Sequence, residues 1–83
     1  MLNDLSERMQ KTILFWNSPD CALMPRDIVA AGISCSVSQL ELLAVKGGGP
    51  SFHKFKRRCL YRKSDVIEWL ERSSVVVAST SDM

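Results

Sequence analysis

The apolar residues near the N-terminus recur at helical spacing. This stripe consists of Leu5, Met9, Ile13 and Trp16. Polar residues fill the rest of the helical wheel, so the pattern predicts an amphipathic helix of about three turns within residues 1–18. We expect the stripe to pack on the rest of the same domain, and pairing with a second protomer is the alternative.

Two further helices are predicted before a glycine-rich break at residues 47–50. The first begins at Pro25, because a proline in the first turn of a helix loses no hydrogen bond, and it ends at the next glycine. The second spans Val37–Lys46, and Ser34 and Ser36 are both candidate N-caps for it. The tight connection between the two helices is typical of a helix-turn-helix.

Beyond the glycines, the sequence predicts a β-hairpin and a last helix. Two strand-like runs, residues 51–55 and 59–62, flank a basic tip. Ser64 is the predicted N-cap of the last helix, and Trp69 lies on its apolar stripe as a core anchor. Residues 73–83 are rich in serine and are predicted to form a flexible tail.

The charge of the chain is unevenly distributed. The 83 residues carry a formal net charge of +2, but the segment 42–64 contains only basic charged residues and sums to +7. The rest of the chain therefore sums to −5. If the basic segment folds onto one side, a polyanion is its expected partner, whereas a solvated basic loop is the alternative.

The size and the reactive side chains argue against an enzyme. A chain of 83 residues holds one domain, and we expect it to be soluble and cytoplasmic, because it shows neither a membrane-length apolar run nor a secretory signal. Cys21, Cys35 and Cys59 are odd in number and widely spaced, which favours free thiols packed as small apolar residues. The pair His53 and Cys59 lacks an orienting third group, so neither catalysis nor a metal or other cofactor is expected.

The order helix, turn, helix, hairpin and helix predicts an α+β winged helix-turn-helix domain over residues 22–72, with a two-stranded basic wing and an added N-terminal helix. The residues that fill this order are Pro25–Ser34, Leu40, Gly47, Gly49, Pro50, Phe52, Lys54, Phe55, Arg57, Arg58, Tyr61–Val66, Trp69 and Leu70. Over Leu23–Arg72 the sequence resembles the excisionase and AlpA-like members of the MerR-type winged helix-turn-helix superfamily.

The resemblance implies a small phage or mobile-element protein that binds and bends DNA, and that directs excisive recombination or regulates transcription. Its implied partners are double-stranded DNA and an integrase or recombinase, at the nucleoid of a bacterial host cell. The chain departs from the family pattern at four places. The turn Gly32–Gln39 is about two residues longer than usual, and Met24 stands before Pro25 where members have a serine or threonine N-cap. Residues 42–45 of the recognition helix are apolar where members usually carry a basic residue, and Lys56 replaces the glycine of the hairpin.

The expected DNA-binding residues combine the basic hairpin with polar positions of the second helix. They are Ser36, Ser38, Gln39, Lys46, Lys54, Lys56, Arg57, Arg58, Arg62 and Lys63. The basic residues would neutralise phosphates and release counterions. Gln39 either reads adenine with its side-chain amide or is plain surface.

Two other classes of function stay open. Small terminase subunits of viral packaging complexes use a similar winged module, and a protein-interaction module would use the apolar second helix after losing DNA binding. Because one module offers few base contacts, we also expect self-association on DNA, through the N-terminal stripe or through Leu42 and Val45.

Overall fold

Four helices and three strands follow one another within residues 2–74. The structure, a computed structural model, describes residues 2–74, with side chains from residue 6 onward. The elements are α1 (Leu2–Asn17), β1 (Leu23–Pro25), α2 (Arg26–Gly32), α3 (Val37–Lys46), β2 (His53–Phe55), β3 (Arg58–Arg62) and α4 (Lys63–Ser73). The predicted α+β class is confirmed. The predicted tail begins too early, because Ser73 is the last residue of α4 and Ser74 is its C-cap, and residues 75–83 lie outside the described residues.

The helices α2 and α3 form where the sequence predicts them, because their end signals are local. Of the two candidate caps, Ser36 is the N-cap of α3: its hydroxyl accepts from the Gln39 N–H, and the Gln39 side chain accepts from the Ser36 N–H. Ser34 lies instead in the connecting turn, with φ of 62°. Gly47 ends α3 with φ of 88°, a left-handed conformation that only glycine adopts without steric cost.

None of the helices in residues 2–74 has the length and the apolar composition to cross a membrane alone. α2 and α3 meet both criteria only when they are taken together, and their axes are bent by 109°.

The sheet contains a strand that the sequence pattern does not reveal. β1 pairs with β3, so within residues 2–74 the antiparallel sheet has three strands in the order β1-β3-β2 instead of the predicted two. Pro25 is the last residue of β1 and the N-cap of α2, not a residue of its first turn. β1 has three residues, and its pairing of Leu23 with Arg62 joins distant parts of the sequence. No local signal marks such a strand.

The core is one cluster to which all four helices contribute. It consists of Phe15, Met24, Val29, Ala30, Leu40, Tyr61 and Val66. The predicted packing face of α1 is wrong, because Met9, Ile13 and Trp16 are 57%, 55% and 47% exposed, whereas Phe15 is fully buried. The side chain of Leu5 lies outside the described residues.

The docking of α1 on the end of α2 explains which face of α1 is buried. Thr12 Oγ1 donates to the Ala31 carbonyl (3.1 Å), and Trp16 Nε1 donates to the Gly32 carbonyl (2.8 Å). A Cβ atom at Gly32 would lie 2.7 Å from the Phe15 Cβ, so the missing side chain permits the close approach. These contacts turn Phe15 inward and leave Met9, Ile13 and Trp16 about half exposed.

The predicted serine cap of α4 is also wrong. The N-cap is Arg62, which makes no side-chain capping bond, and Ser64 lies inside the first turn. Carbonyls of the loop between α1 and β1 accept the free N–H groups instead: the Lys63 N–H donates to Ala22 (3.0 Å) and the Ser64 N–H to Asp20 (2.9 Å). Because these partners come from another part of the chain, α4 needs no side-chain cap.

Trp69 is half-buried, so it is not the deep core anchor that the stripe of α4 predicts. Its indole N–H donates to the Gly48 carbonyl (2.7 Å). This bond attaches α4 to the glycine-rich loop after α3. Tyr61, at 1% exposure, provides the deep aromatic anchor.

The three cysteines are free thiols in different surroundings. Cys35 and Cys59 are half-buried, as expected of small apolar residues, but Cys21 is exposed, so the expectation is wrong for that residue. Burial raises the pKa of the Cys35 thiol above its usual value. The uncharged thiol is therefore favoured at Cys35.

Candidate nucleic-acid interface

The hairpin of β2 and β3 projects beyond the three-stranded part of the sheet. β3 pairs with β1 from Arg62 to Leu60 and with β2 from Leu60 to Arg58, so the two pairings overlap at Leu60 alone. The outer end is a two-stranded ribbon closed by a two-residue loop, Lys56 and Arg57. At about 3.3 Å per residue, this loop extends roughly 7–10 Å past the end of β1.

The first residue of the loop combines a positive charge with an unfavourable backbone conformation. Lys56 has φ of 58°, which costs a residue with a side chain about 1–2 kcal/mol. Its Nζ lies 5.6 Å from the centroid of the Phe55 ring, a cation–π contact that offsets about 0.5–1 kcal/mol of this cost. The hairpin thus keeps a cation at a position whose backbone conformation suits glycine.

The strand register divides the basic side chains between the two faces of the hairpin. Cross-strand partners share a face, and successive residues alternate between faces. Lys54 lies opposite Cys59 and therefore on the face of Tyr61, which is the face that packs on the helices. Arg58 and Arg62 lie on the other face. Of these basic side chains, Lys54 therefore shares the face of the sheet that packs on the helices.

The cations at the outer end of the hairpin are exposed. They are Lys54, Lys56, Arg57 and Arg58. The ion pairs found in the described part of the chain are Lys11–Asp27 and Arg26–Glu41. No acidic side chain with a described position therefore neutralises these four, and the hairpin end presents a concentrated positive charge to solvent.

Lys63 does not belong to this basic surface, contrary to the prediction. Its side chain is 7% exposed, and its Nζ donates to the carbonyls of Trp16 (2.9 Å) and Ser18 (2.7 Å). The ammonium group therefore joins the start of α4 to the end of α1. Arg62 is half-buried and stands at the root of the hairpin.

The polar residues of α3 also divide into two groups. Ser38 and Lys46 are exposed and available to a ligand. Ser36 and Gln39 form the capping box of the helix, in which the Gln39 Oε1 accepts from the Ser36 N–H (3.0 Å). Bidentate reading of adenine needs both the oxygen and the nitrogen of the amide, so Gln39 is not free for that role while the cap is intact.

Arg26 links α3 to the root of the hairpin, and the sequence prediction missed it. Its Nε donates to the Tyr61 hydroxyl (2.9 Å), and its guanidinium lies 5.6 Å from the Phe52 ring centroid. Its Nη1 is 4.0 Å from Glu41 Oε2 on α3. The Tyr61 hydrogen bond raises the pKa of Arg26, so the residue stays charged. These contacts place the Glu41 side of α3 next to the hairpin.

The geometry does not bring His53 and Cys59 together as a nucleophile and base. His53 lies opposite Leu60 and Cys59 lies opposite Lys54, so the two side chains point to opposite faces of the ribbon. Within the described residues, no group of three or more His, Cys, Asp or Glu side chains has the arrangement of a metal site.

No family model matches the sequence. No curated protein matches it at a significant level.

Proposed function

We propose that the protein binds double-stranded DNA as a winged helix-turn-helix module. The hairpin of β2 and β3 is the wing, and α3 is the helix that faces the major groove. The observation that carries the proposal is the projecting end of the hairpin, with four exposed cations and no described acid beside them. Such a basic arm reaches the phosphates on one side of a groove while a helix occupies the groove itself.

The binding free energy in this arrangement is mainly electrostatic. Each phosphate that a lysine or arginine neutralises releases condensed counterions, which makes the affinity fall with salt. The exposed Lys46 at the end of α3 adds to the charge of the wing. The Arg26 contacts hold the root of the wing beside α3, which lowers the entropy lost when both bind the same duplex.

The resemblance over residues 23–72 supports a role in a phage or mobile element. We propose an excisionase-like directionality factor or a small transcriptional regulator, with DNA-recognition in viral packaging as the alternative. Affinity purification of the tagged protein from its source cell separates these roles: a recombinase as the bound partner supports excision, and a packaging motor subunit supports the alternative.

The test of DNA binding is a titration of a 20-base-pair random-sequence duplex at several salt concentrations. The variant Lys56→Gly with Arg57→Ala removes two charges from the loop, and the glycine suits the backbone at residue 56. We expect weaker binding to all duplexes and a plot of log K against log salt that is flatter by up to about two phosphates' worth, about 0.9 per phosphate.

A matched control removes the same charge elsewhere. Arg8→Ala with Arg72→Ala changes two exposed arginines of α1 and α4 and should leave most of the affinity and slope intact. Equal effects of the two double variants would contradict a binding site at the hairpin. An unmodified protein that binds no duplex at low salt would contradict DNA binding itself.

A further inference from the structure

The outward face of α3 is apolar although it lies in the most basic part of the chain. Leu42 is 53% exposed and Val45 is 85% exposed, the highest value among the large apolar residues that the structure describes. The two are three residues apart and therefore lie on one face of the helix, one turn after the exposed Ser38. Neither side chain belongs to the core cluster.

The surroundings of this face favour a polyanion as its partner. Lys46 follows it on α3, and the segment 42–64 contains no acidic residue. Glu41, which borders the face, is 4.0 Å from the Arg26 guanidinium, and this contact partly neutralises its charge. Through Arg26 the same side of α3 adjoins the root of the basic hairpin. A duplex that contacts the hairpin is therefore in position to meet Leu42 and Val45.

The major groove offers one apolar group to such side chains. Each base pair presents hydrogen-bond donors and acceptors there, and thymine alone adds a C5 methyl group. Aliphatic side chains have no polar atoms with which to read the donors and acceptors. They gain free energy in the groove only by removing that methyl group from water.

We propose that Leu42 and Val45 select thymine by packing against its methyl group in the major groove. This inference rests on the proposed DNA binding and adds which base the exposed apolar face of α3 recognises. Leu42 and Val45 are the specificity-determining residues, and Ser38 can bond to either base of a neighbouring pair. Leu42 and Val45 then replace a hydrogen-bonding readout by a hydrophobic one.

The experiment compares two duplexes that differ only in the methyl group. One is a 24-base-pair alternating A·T duplex, in which every register presents thymine methyls, and the other carries deoxyuridine in place of thymidine. Burial of one methyl predicts about fourfold tighter binding to the thymidine duplex for each contact made. A G·C duplex with 5-methylcytosine, which has its methyl at the same place, should bind more tightly than the unmethylated one.

Two variants make the comparison specific to α3. Leu42→Ala with Val45→Ala should bring the thymidine-to-deoxyuridine affinity ratio close to one, and circular dichroism should show it folded, because both side chains are exposed. Met9→Ala with Ile13→Ala removes apolar groups from α1 that are each more than half exposed, and should keep the ratio of the unmodified protein.

Three outcomes would overturn the inference while DNA binding stands. One is a ratio near one in the unmodified protein. Another is a ratio that persists in the Leu42 and Val45 variant, which would assign it to the flexibility of the duplex. The third is that the unmodified protein and the α1 control sediment as dimers while the Leu42 and Val45 variant sediments as a monomer, which would make this face a contact between protomers. Absence of binding to all four duplexes would instead contradict the proposed function.

Discussion

Lys63 shows that a cation in a basic run can serve the fold instead of a ligand. Its ammonium binds two carbonyls at the C-terminal end of α1, where the helix dipole favours a positive charge. The Nζ also lies 6.0 Å from the Phe15 ring centroid and 5.7 Å from that of Trp16. Burial of this ammonium is tolerated because its hydrogen bonds and the aromatic faces replace water.

Replacing Lys63 should therefore affect stability and not DNA binding. Lys63→Met keeps most of the volume but leaves the Trp16 and Ser18 carbonyls without their donor, and should lower the free energy of unfolding by about 2 kcal/mol. Urea denaturation measures this, with the exposed Lys46→Met as a control that changes stability by less than about 0.5 kcal/mol. A Lys63 variant of unchanged stability whose DNA binding depends less on salt would show instead that Lys63 contacts DNA and is not needed for the fold.

The junction of α1 and α2 depends on a position with no side chain. Gly32 ends α2 beneath Phe15, and its carbonyl accepts the Trp16 indole N–H. The glycine allows α1 to approach closely enough for Phe15 to enter the core. The junction therefore fixes which face of α1 is buried.

Gly32→Ala should force the two helices apart. The added methyl overlaps the Phe15 side chain, and overpacking of this kind costs about 1–3 kcal/mol of unfolding free energy. Thermal unfolding of Gly32→Ala, Phe15→Leu and the double variant measures the coupling. If Phe15 causes the overlap, the alanine costs less in the Phe15→Leu background, and simple additivity would refute this explanation.

The sequence predicts those elements whose signals are local. The limits of α3 follow from Ser36 and Gly47, and the hairpin follows from two short runs around a basic tip. β1 and the buried face of α1 could not be predicted in this way. β1 depends on pairing with a strand far away in sequence, and the buried face of α1 depends on packing against α2. The stripe predicted from helical spacing does not include Phe15, which is the residue that α1 buries fully.

The sequence predicts those residues of the candidate interface that can be recognised by their charge alone. The run of cations without acids identifies the hairpin, and four of its basic residues are exposed. Lys63 and Arg26 could not be assigned, because the carbonyls that hold Lys63 and the Tyr61 hydroxyl that binds Arg26 become neighbours only in the fold. The exposure of Val45 is likewise a property of packing that helical periodicity does not determine.

Taken together, the surface of the protein offers an apolar area in addition to the basic hairpin. Met9 and Ile13 of α1 are each more than half exposed and line an open groove that continues to Ala31 and Ser34. Their exposure shows that they are not core residues. Self-association through this surface stays a prediction, and the exposure makes it directly testable.

Met9→Asp should separate self-association from folding and from binding to one site. Because Met9 is 57% exposed, a charge there should leave the unfolding free energy nearly unchanged. On a DNA array of several sites we expect cooperative binding by the unmodified protein and about tenfold less cooperativity in the variant, which corresponds to about 1.4 kcal/mol. Non-cooperative isotherms for the unmodified protein would refute self-association.

The overlap of the two strand pairings at Leu60 divides β3 into halves that should differ in motion. From Leu60 to Arg62 the strand has a neighbour on each edge, whereas from Leu60 to Arg58 its only strand neighbour among residues 2–74 is β2. Two-stranded ribbons open easily in water, and amides protected from exchange with solvent are those in fully paired, buried backbone. The free energy of local opening of β3 thus falls from Arg62 towards Arg58. The inner half of β3 is therefore expected to stay rigid, whereas the outer half can change its conformation when it contacts a ligand.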